Sequence, residues 1–355
     1  LWQSWEAAAA YDTGAHAALA AWQHNPRLGA FFAFIVTHSP HVTRLLSLNP
    51  GVVEPFLRGE AASYCDQSIQ EIKQRTPQDM SREAGQRYLR QCKQRFSLMI
   101  ALVDLAGLWS LEMVTAYLSR FADACVQFAL EQLYRQTLPP SRHTALELLS
   151  ANSGITILGL GKLGGYELNY SSDIDIMALY DPQKLDFLAP AARNRVMVRL
   201  MRDLTHYLQE RQQEGYVFRV DMRLRPDPAS TGLAVALNNA LSYYERVGQN
   251  WERAAMIKAR PIAGDDQTAS AFLEEMEHFI WRTHLDFAAI EDILSIKRQM
   301  QAREEQEITL DGHHLKHGYG GIREIEFLAQ IYQLIWGGRL TGLRLHGTCA
   351  ALDAL

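Results

Sequence analysis

The chemistry of this chain gathers around three aspartates. Asp173 and Asp175 stand one residue apart in Asp173-Ile174-Asp175-Ile176, and Asp221 stands in Val220-Asp221-Met222-Arg223. Both stretches alternate polar and apolar residues, the period of a β-strand, in which successive side chains point to opposite faces. Asp173 and Asp175 therefore share one face, and Ile174 and Ile176 the other. Neighbouring carboxylates repel unless a cation or a proton neutralises them, so the pair reads as a hard-metal site with Mg²⁺ the obvious cation. In the second stretch Arg219, Asp221, Arg223 and Arg225 fall on one face, and Val220, Met222 and Leu224 on the other. A third carboxylate beside the pair would complete a clamp on the attacking and leaving oxygens of an in-line phosphoryl displacement, with arginines on the phosphate oxygens. Asp173, Asp175 and Asp221 are the candidate catalytic and metal-binding residues, and Arg223 and Arg225 candidate phosphate contacts.

An isolated Asp-x-Asp is usually a solvated strand edge; here the context favours chemistry. Just upstream runs Gly159-Leu160-Gly161-Lys162-Leu163-Gly164-Gly165, a turn whose backbone donors can approach phosphate, and Ser171-Ser172 directly precedes the acids. Gly161, Lys162, Gly164 and Ser172 join the candidate nucleotide contacts. The same turn also fits G-x-G-x-x-G, with Asp181 near the place of a ribose-binding acid. That dinucleotide reading needs a helix of normal length after the third glycine. Only Gly165 to Ser172 is available, and the acid pair is left unexplained.

These residues must be carried by a small α/β unit. Ile155 to Leu158, Asp173 to Tyr180 and Tyr216 to Leu224 predict strands, and Arg195 to Glu210 predicts a helix ended by Gly215. From Trp2 to about Leu149 helical spacing prevails, as in Tyr88 to Val103 and Leu108 to Leu133. Pro139 and Pro140 mark a polar break over Arg135 to Thr144. Thr268 to Arg303 and Gly321 to Trp336 predict helices around a Gly- and His-rich loop, Asp311 to Gly320. The predicted organisation is a helical region over 1–150, an α/β catalytic domain over 151–265 and a helical segment over 266–355 packed on it, without internal repeats. The fold class expected is α+β, mostly helical.

At 355 residues the chain needs more than one core, and 48% hydrophobic with 21% charged residues is an ordinary globular balance. A net charge of -5 and a pI near 6.2 argue against long nucleic acid as a partner. No apolar run reaches spanning length, since Phe96 to Trp109 is broken by Asp104, so no membrane partner is expected. The four cysteines are far apart and no charged-then-apolar leader begins the sequence, which favours a cytoplasmic protein. Beginning at Leu1 and ending in an apolar stretch at Leu355, the sequence is expected to be a piece of a longer protein.

Other residues have blander readings. Lys258 is a candidate nucleotide contact and Arg260 a secondary one, although charges on an amphipathic helix are as often a solvated face. Arg323, Glu324 and Glu326 read as a helix start, where acids suit the dipole. His38, His41, His313, His314 and His317 have no cysteine partners and are assigned no metal. Trp109, Tyr117 and Phe121 recur at helical spacing and read as core.

The stretch Gly161-Lys162-Leu163-Gly164-Gly165-Tyr166-Glu167-Leu168-Asn169-Tyr170-Ser171-Ser172-Asp173-Ile174-Asp175 resembles the signature of bifunctional glutamine synthetase adenylyltransferase/adenylyl-removing enzymes. The likeness continues in Val220 to Pro226, in Asn250-Trp251-Glu252-Arg253 through Arg260, and in Gly320 to Phe327. It implies a polymerase-β-like nucleotidyltransferase domain flanked by helical regions. That family carries two such units in tandem, and Asn169-Tyr170-Ser171-Ser172 with Ile322-Arg323-Glu324-Ile325-Glu326-Phe327 resembles the N-terminal, adenylyl-removing one. The resemblance implies phosphorolysis: phosphate attacks adenylyl-tyrosine of glutamine synthetase and yields ADP and free tyrosine. It also implies control by the PII signal-transduction protein and by glutamine. The alternatives are forward adenylylation from ATP and a mainly regulatory, PII-binding module. Two departures stand out: Gly161-Lys162 replaces the Gly-Ser of the wider superfamily, and Pro226 to Leu233 differs from its usual loop.

Overall fold

The computed structural model describes residues 1–10, 12–75, 80–137, 153–283, 315–316, 318 and 320–355. The predicted break around Pro139 and Pro140, the helix expected to continue to Arg303, and His313, His314 and His317 lie wholly or largely outside them. The chain forms two compact units made of interleaved segments. The first is Leu1–Gln132, Leu168–Ser172 and His206–Arg219; the second is Leu133–Glu167, Asp173–Thr205 and Val220–Leu355.

The first unit is helical. Its helices are α1 (Trp2–Ala8), α2 (Thr13–His24), α3 (Pro26–His38), α4 (Pro40–Leu48), α5 (Val53–Leu57), α6 (Ala61–Gln74), α7 (Arg82–Leu105) and α8 (Leu111–Thr137) up to Gln132. Helices α3 and α4 start where Asn25 and Ser39 accept bonds from exposed N–H groups and a proline takes the first helical position. Trp5 is fully buried, its indole donating to the Leu46 carbonyl at 3.0 Å, with Trp22 and Phe32 edge-on against it. Helices α7 and α8 share a core in which Phe96 stacks on Phe121 at 4.2 Å, and Trp109 stacks on Tyr117 at 4.8 Å. His38 stacks on Phe34 and bonds the Phe34 carbonyl. Segment 168–172 is tied into this unit: the Leu168 N–H donates to Ser119 Oγ, and the Tyr170 hydroxyl to Asp104 at 2.8 Å.

The second unit is built on a mixed sheet of β1 (Ile155–Leu160), β2 (Ile174–Tyr180), β3 (Val220–Asp221), β4 (Ala234–Ala236) and β5 (Arg260–Gly264). Strand β1 lies antiparallel between β2 and β5, while β3 and β4 both pair parallel with β2 along its other edge. The helices of this unit are α9 (Gly161–Gly164), the first part of α10 (Pro190–Gln209), α11 (Leu237–Arg246), α12 (Asn250–Met256), α13 (Asp266–Ile280), α14 (Ile322–Trp336) and α15 (Thr348–Ala354). One sheet face carries Leu158, Leu160, Met177 and Leu179 against Tyr244, Phe272, Met276, Phe327 and Ile331, a continuous apolar core. The fold is thus α+β and mostly helical.

Three expectations are corrected. Strand β3 covers two residues rather than Tyr216 to Leu224, because Val217 and Phe218 both donate to the Leu208 carbonyl instead of to a sheet neighbour. Gly165 to Ser172, the room left for a helix after the third glycine, holds none, and the helical turn comes earlier, at Gly161–Gly164. Lys258 and Arg260 do not ride a helix: α12 ends at Met256, and Arg260 opens β5.

Candidate active site

Strand β2 carries the acid pair at its start. Asp173 stands just before it, exposed, and Asp175 just inside it, half-buried. Asp175 lies on the face that continues with Met177 and Leu179, so an ionised carboxylate sits at the rim of an apolar core. Strand β3 brings Asp221 into register with Asp175. In-register residues on adjacent strands point to the same face about 5 Å apart, so the two carboxylates face the same way.

The electrostatics follow. Burial, then the charges of Asp221 and Asp173, push the Asp175 carboxyl up from 3.8 to about 6, against the opposing charges of Lys316 and Arg223. Asp221 goes the other way, held below the usual carboxylate range by its hydrogen bonds to Arg223. The Arg223 guanidinium grips both Asp221 oxygens, with Nε 3.0 Å from Oδ1 and 2.8 Å from Oδ2, and the Arg223 backbone N–H bonds Oδ1 at 2.8 Å. This turn ends β3. Among the described residues no three His, Cys, Asp or Glu side chains close into a ready metal cage. Asp221 is turned to Arg223; Asp175 and Asp221 share a register, and Asp173 stands just before the strand. The donor set still fits a hard divalent ion: only carboxylate oxygens are offered, and burial together with the Asp221 and Asp173 charges disfavours a bare Asp175 carboxylate.

The glycine turn presses directly on this site. Gly161 has φ of 51°, and a Cβ added there would lie 2.5 Å from Asp175 Oδ2, so only glycine allows the turn to touch the acid. Gly164 lies so close to the Lys258 carbonyl that a side chain would overlap it. Lys162 sits half-exposed on this single turn. Ser172, half-buried, donates its N–H to the Asn169 carbonyl in the segment before the acids.

Two candidates are placed differently from the expectation. Arg225 donates to the Met222 carbonyl at 2.8 Å, to Pro228 at 2.9 Å and to Thr231 at 3.3 Å, so it braces the loop after Asp221 rather than offering its fork to phosphate. Lys258 is 2% exposed, and its three ammonium protons go to Glu167, Glu326 and Thr348. Attraction to the two glutamates outweighs burial and keeps it charged, its pKa raised. Glu326 thus belongs to an ion cluster as well as to the start of α14, while Glu324 accepts the Gly320 N–H as a first-turn acid does. Two residues escaped the sequence reading: Lys316, exposed and in the electrostatic field of Asp175, and Glu167, which holds Lys258. Lys316 lay in a loop read as a spacer, and only its partnership with a distant acid would have marked it.

A glycine turn against an acid on one strand, with a second acid in register on the next, is a geometry suited to nucleotidyl transfer. A model of the glutamate-ammonia ligase adenylyltransferase family matches residues 30–275, and the chain belongs to that family. A second model, of the PII-uridylyltransferase family, matches residues 291–355. A bifunctional glutamine synthetase adenylyltransferase/adenylyl-removing enzyme of Bradyrhizobium sp. (strain ORS 278) is 43% identical over 90% of this chain and 33% of its own length. One of the same name from Caulobacter vibrioides is 49% identical over 77% of this chain and 28% of its own, and one from Bartonella quintana is 42% identical over 92% and 34%. The chain spans about a third of the length of these curated relatives. Their adenylyltransferase names make the family one of nucleotidyltransferases, a class that suggests a divalent metal. Among the described residues no helix is long and apolar enough to cross a membrane.

Proposed function

We propose that this chain is a polymerase-β-like nucleotidyltransferase unit that removes AMP from an adenylylated tyrosine of glutamine synthetase by phosphorolysis. The observation that carries the reading is the in-register pair Asp175 and Asp221 with Gly161 packed on the Asp175 carboxylate. Asp173, Asp175 and Asp221 would hold Mg²⁺, which supplies positive charge to the transferring phosphate when bound. Gly161, Lys162, Gly164 and Ser172 present backbone and side-chain donors to the nucleotide phosphate. Arg223, 85% exposed at its side chain, releases Asp221 and turns its fork to phosphate oxygens. Lys316 draws inorganic phosphate toward the acids. In the reaction the bond from phosphorus to the tyrosine oxygen breaks, a bond to the attacking hydrogenphosphate oxygen forms, and the phenolate takes up the proton that the phosphate gives up on becoming part of ADP.

The direction rests on Asn169-Tyr170-Ser171-Ser172 and Ile322 to Phe327, whose likeness is to the adenylyl-removing half. The match of residues 291–355 to a PII-uridylyltransferase family supports a place in PII signalling. Control by PII and by glutamine, and a cytoplasmic location, belong to the same reading. Incubating the chain with adenylylated glutamine synthetase, Mg²⁺ and phosphate should release ADP. Release of AMP would point to hydrolysis, and labelling of unmodified glutamine synthetase from ATP would point to forward transfer.

A further inference from the structure

The turn that meets Asp175 has no helix of useful length behind it. Residues Gly161–Gly164 make one turn, and Tyr166, just after it, has φ of 58°, a left-handed backbone that a bulky side chain rarely adopts. A segment of this kind keeps its shape only if its neighbours impose it. The neighbour here is the start of β5. Arg260 is 7% exposed and lies across the sheet from Gly159, at the end of β1 where the turn begins. Its Nε donates to the Gly164 carbonyl at 3.2 Å and its Nη2 to the Leu163 carbonyl at 3.0 Å. Its guanidinium carbon lies 3.8 Å from the centre of the Tyr166 ring, a stacking contact that covers the left-handed residue. Two residues earlier in sequence, the Lys258 carbonyl backs Gly164, and the Lys258 ammonium holds Glu167, which also accepts the Thr348 N–H.

We propose that Arg260 is a positioning residue for the glycine turn: by taking the two carbonyls at its end and stacking on Tyr166, it holds Gly161 against the Asp175 carboxylate. The proposal rests on the functional reading above only for its kinetic consequence. Arg260 touches no reacting atom; it acts through the turn. A planar fork suits the work, since it bonds two carbonyls in one plane while its flat face covers a ring, and an ammonium, having no flat face, cannot do both at once.

The test uses the purified chain with Arg260→Ala and Arg260→Lys, assayed for adenylyl removal and followed by hydrogen exchange. In Arg260→Ala the amides of 161–167 should exchange faster while those of β1 and β2 stay protected. The kcat should fall about a hundredfold, the effect of an ångström-scale displacement at a reacting centre, with KM for the adenylylated protein unchanged. Arg260→Lys should remain close to Arg260→Ala, and guanidinium ion below denaturing concentration should restore part of the kcat of Arg260→Ala. Unchanged exchange over 161–167 would overturn the proposal. So would faster exchange across the whole sheet with kcat and KM failing together, the mark of general destabilisation. If the wild-type chain removes no adenylyl group, the functional reading fails, and the exchange comparison still decides whether Arg260 holds the turn.

Discussion

At the scale of single residues, the opposite displacements of Asp175 and Asp221 define the site. Asp221 is hydrogen-bonded by Arg223, whereas at Asp175 burial and two like charges outweigh the opposing charges of Lys316 and Arg223. Asp175 binds its proton more tightly in the folded chain than in the unfolded one. The folded state therefore holds more protons between pH 3.8 and about 6, and stability falls as pH rises through that window, by on the order of 2 kcal/mol. Asp175→Asn should abolish adenylyl removal, because the amide cannot balance a cation, while flattening this slope and leaving the melting temperature in metal-free buffer at pH 7 equal or higher. Activity and melting temperature measured on one preparation check this; a joint fall would mark a structural acid. Wild-type protein should also need more Mg²⁺ for half-saturation as pH drops below about 6, since protons compete for the same oxygens. Lys316→Met should raise the KM for phosphate about tenfold, the worth of one charge-assisted hydrogen bond, with kcat little changed, as initial rates over a range of phosphate concentrations would show.

At the scale of elements, β1 and β2 were legible because β-branched and alternating runs announce strands, and α7, α8 and α14 because their apolar period is helical. What escaped has physical causes. Strands β4 and β5 are short, built on Ala234-Val235-Ala236 and on a segment containing Pro261, with little strand propensity of their own. They exist because β2 and β1 offer edges to pair with. Tyr216 to Leu224 alternates as a strand should, yet its first half bonds to the end of α10 and its second half turns on the Asp221 side chain. The acid pair and the glycine turn were readable from spacing, whereas the ion cluster around Lys258 joins residues 91 and 68 positions away in sequence and no local pattern encodes it. Gly164→Ala should destabilise the second unit by about 2 kcal/mol or more, since the methyl would overlap the backbone carbonyl oxygens of both Lys258 and Gly159. Chemical denaturation would register it.

At the scale of the molecule, the chain passes between its two units five times, after Gln132, Glu167, Ser172, Thr205 and Arg219, and finishes in the second. Asp173 opens a segment of the second unit directly after Ser172 closes one of the first. The backbone that enters the acid pair therefore comes directly from a segment held in the first unit. Phe96→Ala, which removes a fully buried ring stacked on Phe121, should cost about 3–5 kcal/mol in denaturant unfolding of that unit.

Strands β3 and β4 pair with the same edge of β2, at Ile174–Asp175 and at Ala178–Tyr180. The ends of the loop between them are pinned three residues apart on one strand, roughly 10 Å, whatever the loop contains. Its own arginine, Arg225, closes it on its own carbonyls. Such a loop is a natural graft point: exchanging the sequence between residues 226 and 232 should leave the register of Asp175 and Asp221 in place. Pro226 to Leu233 is also where this chain departs from the pattern its other motifs share. The fold keeps Asp175 and Asp221 on a fixed ladder and leaves beside it a loop whose span is set by β2 and not by its own sequence.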